Sequence, residues 1–172
     1  MEIEPIYLIG DFGVNTPGEW SALPKNAERY RGVFEIDRMK KKIVPVDLQR
    51  NGFPFFCGSI TFKGKISVDD EQTVLKLDRK GVNVVKVQIA GKEKTLLWGC
   101  DEIELSDWVT SGEHEIMVTL TNNLRNLLGP HHLEVGESYA VGPGSFFKEK
   151  CVWFKRGNRV WDEGYCFVRF GV

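Results

Sequence analysis

The chain has 172 residues, 42% hydrophobic and 27% charged, which is enough apolar material for the core of one globular domain. Lysine plus arginine number 23 against 24 aspartates and glutamates, a formal net charge of -1, so neither nucleic acid nor a membrane surface is favoured as a partner. No apolar run approaches the roughly 20 residues of a membrane span, and no signal peptide is recognisable at the start. We therefore expect a soluble domain, with a cytoplasmic or a secreted parent both open.

The first fifty residues predict strands and loops in an irregular order. Strand-like segments lie at 6–9, 33–36 and 42–46, and the prolines and glycine at 17, 18 and 24 place a loop between the first two. The basic run at 38–42 is typical of a solvated hairpin tip. We predict a single domain over 1–172, in which 1–52 form an irregular extension packed on the rest.

From residue 59 onward, apolar and polar side chains alternate, as in strands with one wet face. The alternating segments are 59–68, 84–89, 115–120 and 166–170, and turn signals separate them at 69–70, 79–81, 90–92 and 111–113. Because a single sheet would leave an apolar face in water, these strands predict an antiparallel β-sandwich. The expected core residues are Phe62, Ile66, Val87, Ile116, Val118, Val168 and Phe170.

The four cysteines are scattered without a Cys-x-x-Cys pair, which argues against a zinc cage and against a dense disulfide scaffold. We expect buried free thiols at Cys57, Cys100, Cys151 and Cys166. A bridge between Cys151 and Cys166 stays open, because both lie in strand-like segments that would be neighbours across a turn at 156–158.

The run from residue 121 to 132 follows a predicted strand and holds amides, a guanidinium and two imidazoles. Such a density of hydrogen-bonding groups in a loop indicates a binding site or an interface. The guanidinium of Arg125 would donate paired hydrogen bonds to a sugar diol, to a carboxylate of another domain, or to backbone carbonyls of its own loop. The candidate ligand-binding or interface residues are Asn122, Asn123, Arg125, His131 and His132.

Exposed aromatic side chains have flat faces on which a ligand ring can stack. Most of the five tryptophans, and the run at 53–56, are expected in the core because of their size. Trp98 and Trp161 border turns and are the better candidates for exposure. Trp98 therefore joins the candidate site.

Catalytic chemistry is hard to locate in this sequence. Glycoside hydrolysis normally needs two carboxylates that flank one bond, whereas the acidic clusters at 69–71, 101–102 and 162–163 lie beside turns and predict solvated charges. His131 and His132 are adjacent and would point to opposite sides of an extended chain, so they are poorly placed to share a metal. One of them with Glu134 or Glu137 remains an open metal alternative. We predict no catalytic residue, no metal and no cofactor.

The order of segments from residue 58 to 122 resembles the sugar-binding β-sandwich domain of family-two glycoside hydrolases and the wider galactose-binding-like jelly rolls. The matching pieces are a first strand at 59–62, a glycine turn before the strand at 84–89, a hairpin at Gly91, a short strand ending at 105–109, and a glycine turn at 112 leading to a strand that ends in Asn122. Segments 124–132, 142–146 and 165–171 look like C-terminal accessory modules of large bacterial glycosidases.

This resemblance implies a non-catalytic module of a larger bacterial glycoside hydrolase, with carbohydrate or a neighbouring catalytic domain as its partner. Two alternatives stay open. One is a purely structural domain that docks on a catalytic domain outside this chain, and the other is a small carbohydrate-active enzyme.

Overall fold

The computed structural model describes residues 7–69, 73–137, 148–149, 152–153 and 160–172. Within these residues the secondary structure is almost entirely antiparallel strands, with one short helix, and no described helix is long and apolar enough to cross a membrane. The strands are β1 (Gly13–Asn15), β2 (Glu19–Leu23), β3 (Ala27–Arg31), β4 (Glu35–Asp37), β5 (Ser59–Val68), β6 (Val74–Lys76), β7 (Val84–Ile89), β8 (Lys92–Leu96), β9 (Glu102–Glu104), β10 (Gly112–Thr121), β11 (Lys148–Glu149), β12 (Val152–Trp153) and β13 (Tyr165–Val168). The helix is α1 (Arg125–Leu128).

A four-stranded sheet in the order β5-β10-β7-β8 forms the larger layer. The long strand β10 pairs along its whole length with β5 and over its second half with β7. Strands β7 and β8 are joined by Ala90 and Gly91, which have φ values of 50° and 77°. Two consecutive positive φ values are those of a type I′ turn, whose twist matches the flanking strands.

The main core covers one face of this sheet. Val87 and Ile116 are buried there with Phe170, while Phe62, Ile66 and Val118 are partly buried against them. The other side of the core is supplied by the β6–β9 pair, by residues from 43 to 56, and by the last residues of the chain. The fold is thus the predicted all-β antiparallel sandwich.

A three-stranded sheet in the order β13-β3-β2 joins the two ends of the chain. Its apolar side chains build an aromatic cluster, in which Phe167 packs edge-on to Phe55 with ring centroids 5.2 Å apart. The members of the aromatic cluster are Trp20, Tyr30, Phe34, Phe55, His131, Tyr165 and Phe167.

The predicted alternation of buried and exposed side chains was wrong for β13. Cys166 and Phe167 are neighbours and both are buried, whereas Val168, predicted as core, is half-buried and lies outside the main core cluster. The reason is that both faces of this strand are covered. Phe167 enters the aromatic cluster on one side, and the Cys166 thiol lies 3.8 Å from Nη2 of Arg125 on the other.

The predictions for the N-terminal segments were only partly right. Residues 7–9 and 42–46 lie outside any strand, while residue 6 falls outside the described residues, and the strand predicted at 33–36 begins only at Glu35. The basic run at 38–42 is exposed, as expected of a solvated turn. Strands β2 and β3 were missed because the sequence of β3, Ala-Glu-Arg-Tyr-Arg, is too polar to indicate burial.

The buried carboxylate of β3, that of Glu28, lies in a group of hydrogen-bonded polar side chains that we call the polar clasp. The carboxylate of Glu28 accepts hydrogen bonds from Gln49 (2.9 Å) and from Arg50 (2.8 and 2.5 Å), and Gln49 in turn accepts one from the backbone N–H of Phe170 (3.1 Å). Nearby, Arg169 binds Asp47 at 2.7 and 2.8 Å, and this hydrogen bonding lowers the pKa of the Asp47 carboxyl. The members of the polar clasp are Glu28, Asp47, Gln49, Arg50 and Arg169.

Candidate functional site

Three connections meet at one end of the four-stranded sheet. Because β7 runs antiparallel to β8 and β10, the residues that precede β7 lie beside those that follow the other two strands. They enclose a depression that we call the end groove. Its outer lobe, about 420 Å³, is lined by Arg79, Gly81, Val82, Asn83, Trp98, Gly99, Asp101 and Asn123. Its inner lobe, about 210 Å³, is lined by Gly81, Asn122, Asn123, Arg125, Asn126, Glu137, Val168 and Phe170.

Trp98 is the exposed aromatic residue of the outer lobe. It follows β8 in a short turn, and 90% of its surface is accessible. A tryptophan adds a large apolar area to the surface, and its indole ring has a flat face on which a ligand can stack. The expectation that Trp98 is exposed is correct. Trp161, which was expected to be exposed as well, is half-buried against His132.

The turn that carries Trp98 is held in place by Arg79, whose side chain is 4% exposed. The guanidinium forms an ion pair with Asp101 (Nη2 to Oδ1, 2.5 Å). It also donates to the backbone carbonyls of Leu97 (2.8 Å), Cys100 (3.1 Å), Leu96 (3.4 Å) and Asn83 (3.5 Å). A buried guanidinium with this many partners fixes the shape of the turn.

The two asparagines after β10 have different roles. The amide of Asn122 donates to the carbonyl of Phe56 (2.8 Å) and accepts from the N–H of Gly58 (3.0 Å), which extends the pairing of β5 and β10 by one more residue. Asn123 is exposed, lines both lobes, and accepts a hydrogen bond from the backbone N–H of Arg125 (2.9 Å). Asn123 is therefore the asparagine whose side chain faces solvent in the groove.

Arg125 forms an ion pair inside its own chain. Its Nε and Nη2 lie 2.7 and 2.6 Å from the same carboxylate oxygen of Glu137, and the side chain is 13% exposed. The sequence had suggested a diol, a carboxylate of another domain, or loop carbonyls as its partner. The contact instead ties α1 to the segment that leads away from the histidines. Burial beside this pair raises the pKa of the Cys166 thiol.

The two histidines lie away from the groove, and each packs within the fold. His131 belongs to the aromatic cluster, and its burial lowers the pKa of its imidazole to about 4. His132 stacks on Trp161 with ring centroids 4.1 Å apart, and its Nδ1 donates to the carbonyl of Asp162 at 3.0 Å. Among the described residues, no three histidine, cysteine, aspartate or glutamate side chains are grouped to hold a metal ion.

Asn126 is the polar residue of this region that the sequence did not single out. It is 3% exposed, and its side-chain amide exchanges two hydrogen bonds of 2.8 Å with the backbone N–H and carbonyl of Val168. The side chain thus pairs with the last residue of β13 as a neighbouring strand would. Asparagines 122, 123 and 126 look alike in the sequence, so their different environments come from the tertiary contacts.

The acidic clusters are solvated only in part. Asp69, Glu102 and Glu163 are exposed as predicted, and residues 70–71 lie outside the described residues. Asp101 and Asp162 are less solvated than predicted. The carboxylate of Asp162 is 14% exposed and lies 3.2 Å from Arg29 and 2.6 Å from Arg31. Asp101 is half-exposed, and its partner is the buried Arg79. Both carboxylates therefore position neighbouring segments.

Of the cysteines in the described residues, only Cys166 is fully buried. Cys57 is half-buried and Cys100 is exposed, so the prediction of burial was wrong for Cys100. Cys166 is a free thiol, and Cys151, its proposed disulfide partner, lies outside the described residues.

Comparisons with known proteins show a distant structural similarity and no match to a family model or a curated protein. Among solved structures, the β-D-glucuronidase of Dictyoglomus thermophilum aligns with a TM-score of 0.36 and 16% identity, covering 80% of this chain and 25% of that chain. The chain therefore spans a quarter of that enzyme's chain, and a likeness this distant does not transfer an activity.

Proposed function

We propose that this protein is a non-catalytic carbohydrate-binding module and that it binds glycan in the end groove. The observation that carries the proposal is the exposed indole of Trp98 beside a lobe lined by Asn83, Asp101 and Asn123. Sugar sites combine an aromatic face, against which the C–H face of a pyranose packs, with planar polar groups that bind its hydroxyls.

The rigidity of the outer lobe supports this function. Arg79 binds four carbonyls and the Asp101 carboxylate, so the turn that carries Trp98 is ordered before any ligand arrives. A preordered site loses less conformational entropy on binding than a mobile one. Asn123 is likewise held at the start of α1 by its bond to the Arg125 N–H.

The carboxylates of the groove support a binding role more than a catalytic one. A glycosidase needs one carboxylic acid that protonates the leaving oxygen and a second carboxylate that acts as base or nucleophile. In the end groove Asp101 is paired with Arg79 and Glu137 with Arg125, at 2.5 and 2.6 Å. Each of these carboxylates is thus engaged by an arginine of its own chain.

The module would belong to a larger bacterial glycoside hydrolase, as the resemblance to the family-two sugar-binding domain implies. In that setting it would hold the polysaccharide near a catalytic domain on the same parent chain. Linking a weak glycan site to a second domain raises the effective concentration of substrate at that domain without new contacts.

A structural module that docks on a neighbouring catalytic domain is the second candidate. It is favoured by the large apolar side chains that are exposed in the N-terminal part of the chain, because they would be buried on docking against another domain. The exposed residues are Tyr7, Leu8, Ile9, Val33, Ile36, Met39, Val44 and Val46. A module with this role alone would bind no free glycan, and Ile36→Lys would weaken its binding to the rest of the parent enzyme when the two parts are expressed as separate chains.

The experiment that tests glycan binding is calorimetric titration of the purified protein with soluble plant and microbial polysaccharides. Trp98→Ala should lower the affinity for the bound glycan at least about tenfold, since a central aromatic contact typically dominates a small site. Leu128→Ala is the matched control, because Leu128 is 57% exposed and does not line the groove. Binding that survives Trp98→Ala unchanged would contradict the proposed site.

A further inference from the structure

Resting on the function proposed above, we infer that the end groove selects uncharged glycans and discriminates against uronic acids and sulfated or phosphorylated sugars. The inference comes from the charges that line the groove. Both of its arginines are bound to carboxylates of the same chain, and the accessible charge among the described lining residues belongs to acids.

The terminal N–H groups of Arg79 are engaged within the chain and do not face an anionic sugar. Its two terminal nitrogens bind four carbonyl oxygens and the Asp101 carboxylate. Recognition of a carboxylate or sulfate by arginine requires two parallel N–H groups that face the ligand. A side chain that is 4% exposed and whose terminal nitrogens bind groups of its own chain does not offer them.

Arg125 in the inner lobe is also committed. Its Nε and Nη2 both bind Glu137. Its Nη1 is buried and makes no hydrogen bond within the described residues. Since solvent does not reach that nitrogen, a ligand resting in the groove does not reach it either.

The groups that do face the ligand repel anions. The side chain of Asp101 is 44% exposed, so an acidic sugar in the outer lobe would bring a second negative charge close to it. The face of the Trp98 indole carries the negative part of the ring quadrupole, which attracts C–H groups and cations. Asn83 and Asn123 complete the lobe with neutral amides that suit hydroxyl groups.

A second depression, beyond Gly99 and Asp101, is lined by the cations Lys76 and Lys94. Lys76 is paired with Glu102 at 3.0 Å. Lys94 is exposed on the edge strand β8. An acidic glycan that extends from the outer lobe into this depression would meet Lys94, so Lys94→Ala serves as the variant that tests for an acidic ligand.

The test compares an acidic ligand with its uncharged ester and with neutral sugars. Two forms of trigalacturonic acid, the free acid and the full methyl ester, are titrated into the full chain. Neutral trisaccharides of glucose, xylose, mannose and galactose are titrated in parallel. We expect at least one neutral probe to bind with a change in Trp98 fluorescence, absent in Trp98→Phe. The free acid should bind at least about fivefold more weakly than its ester, the size of one like-charge contact at about 4 Å in water.

The outcomes separate this inference from the function on which it rests. Equal or tighter binding of the free acid, lost in Trp98→Ala or in Lys94→Ala, would overturn the selectivity and leave glycan binding intact. Binding by none of the neutral or acidic probes would overturn both. Asp101→Asn tests the cause of the selectivity. Removing the carboxylate should reduce the difference in affinity between the acid and the ester to less than about twofold. Circular dichroism checks that the variant folds.

Discussion

The four-stranded and the three-stranded sheet are stabilised in different ways. In the four-stranded sheet, neighbouring strands bury aliphatic side chains such as Val85, Val87 and Leu120 on one face. The three-stranded sheet joins residues from opposite ends of the chain and depends on an aromatic cluster and on the polar clasp. The first sheet relies on the hydrophobic effect, which is non-directional. The second also relies on hydrogen bonds and ion pairs, which need specific partners.

The difference also separates the functions of the two regions. The end groove is built from connections of the four-stranded sheet, whereas the histidines of the candidate loop pack in or beside the aromatic cluster of the other sheet. The loop from 122 to 132 therefore spans both regions. Its first residues reach the groove, and its last residues belong to the interior of the fold.

The largest expected effect is on the aliphatic core. Leu120→Ala should lower the free energy of unfolding by about 2–5 kcal/mol, because it leaves a cavity where the side chain is 1% exposed. Leu124→Ala is the matched control, since Leu124 is 51% exposed, and should change stability by less than about 0.5 kcal/mol. Urea denaturation of both variants measures the difference, and similar losses in the two would contradict the assigned core.

The aromatic cluster should respond to pH where the aliphatic core does not. The pKa of folded His131 is about 4 because of burial, against an unfolded value of 6.5. Between these values the unfolded chain binds the extra proton, so stability is full above pH 6.5 and falls as the pH drops toward 4, by up to about 3 kcal/mol.

His131→Phe checks this window, because it keeps an aromatic ring in the cluster and removes the titrating group. Denaturation curves at pH 7.0, 5.5 and 4.5 should show a weaker pH dependence in the variant than in the natural chain. A natural chain whose stability stays constant from pH 6.5 to 4.5 would show that His131 is not buried as described.

Substitution of Asn126 measures how much one side-chain amide contributes to the stability of the three-stranded sheet. Asn126→Ala leaves the backbone N–H and carbonyl of Val168 without their partner, which should cost about 1–3 kcal/mol. Asn15→Ala is the control, because its hydrogen bond to Glu35 is exposed, and should cost less than about 0.5 kcal/mol. Faster amide exchange at Val168 in the first variant alone would locate the loss at β13.

The smallest expected effect is at the β7–β8 turn. Ala90 has a φ of 50°, which asparagine tolerates better than alanine, so Ala90→Asn should stabilise the protein by about 0.5 kcal/mol. Gly91→Ala should instead lower the free energy of unfolding by about 1 kcal/mol, because the φ of 77° strains a residue that has a Cβ. Nothing lies within 4 Å of the added Cβ, so this backbone strain is the whole effect. Thermal unfolding of the two variants measures both, and equal signs would exclude a type I′ turn.

Sequence reasoning worked where structure is local. Strands β5, β7 and β10 and the hairpin at Gly91 follow from period-two alternation and turn chemistry, which involve residues close in the chain. The exposure of Trp98 followed in the same way from the turn beside it. The predictions failed at 7–9 and 42–46, where apolar residues suggested strands but the described residues form none.

The candidate site could be predicted only in part. Trp98, Asn123 and Arg125 were identified by residue type and loop position, and all three line the end groove. Arg79 and Asp101, which shape its outer lobe, were missed as a pair. They are 22 residues apart and meet because β7 and β8 fold back between them, so no short motif records their contact.

By itself the sequence determined the fold class of this protein, because the alternation of apolar and polar residues requires sheets with a buried face. The tertiary structure alone decided which polar residues face the groove and which are buried. A buried group such as Glu28, Asn126 or Arg79 is stable only when its hydrogen-bond partners are in place, and those partners come from distant parts of the chain. Burial of polar groups is therefore a property of the folded contacts, and the residue types alone do not reveal it.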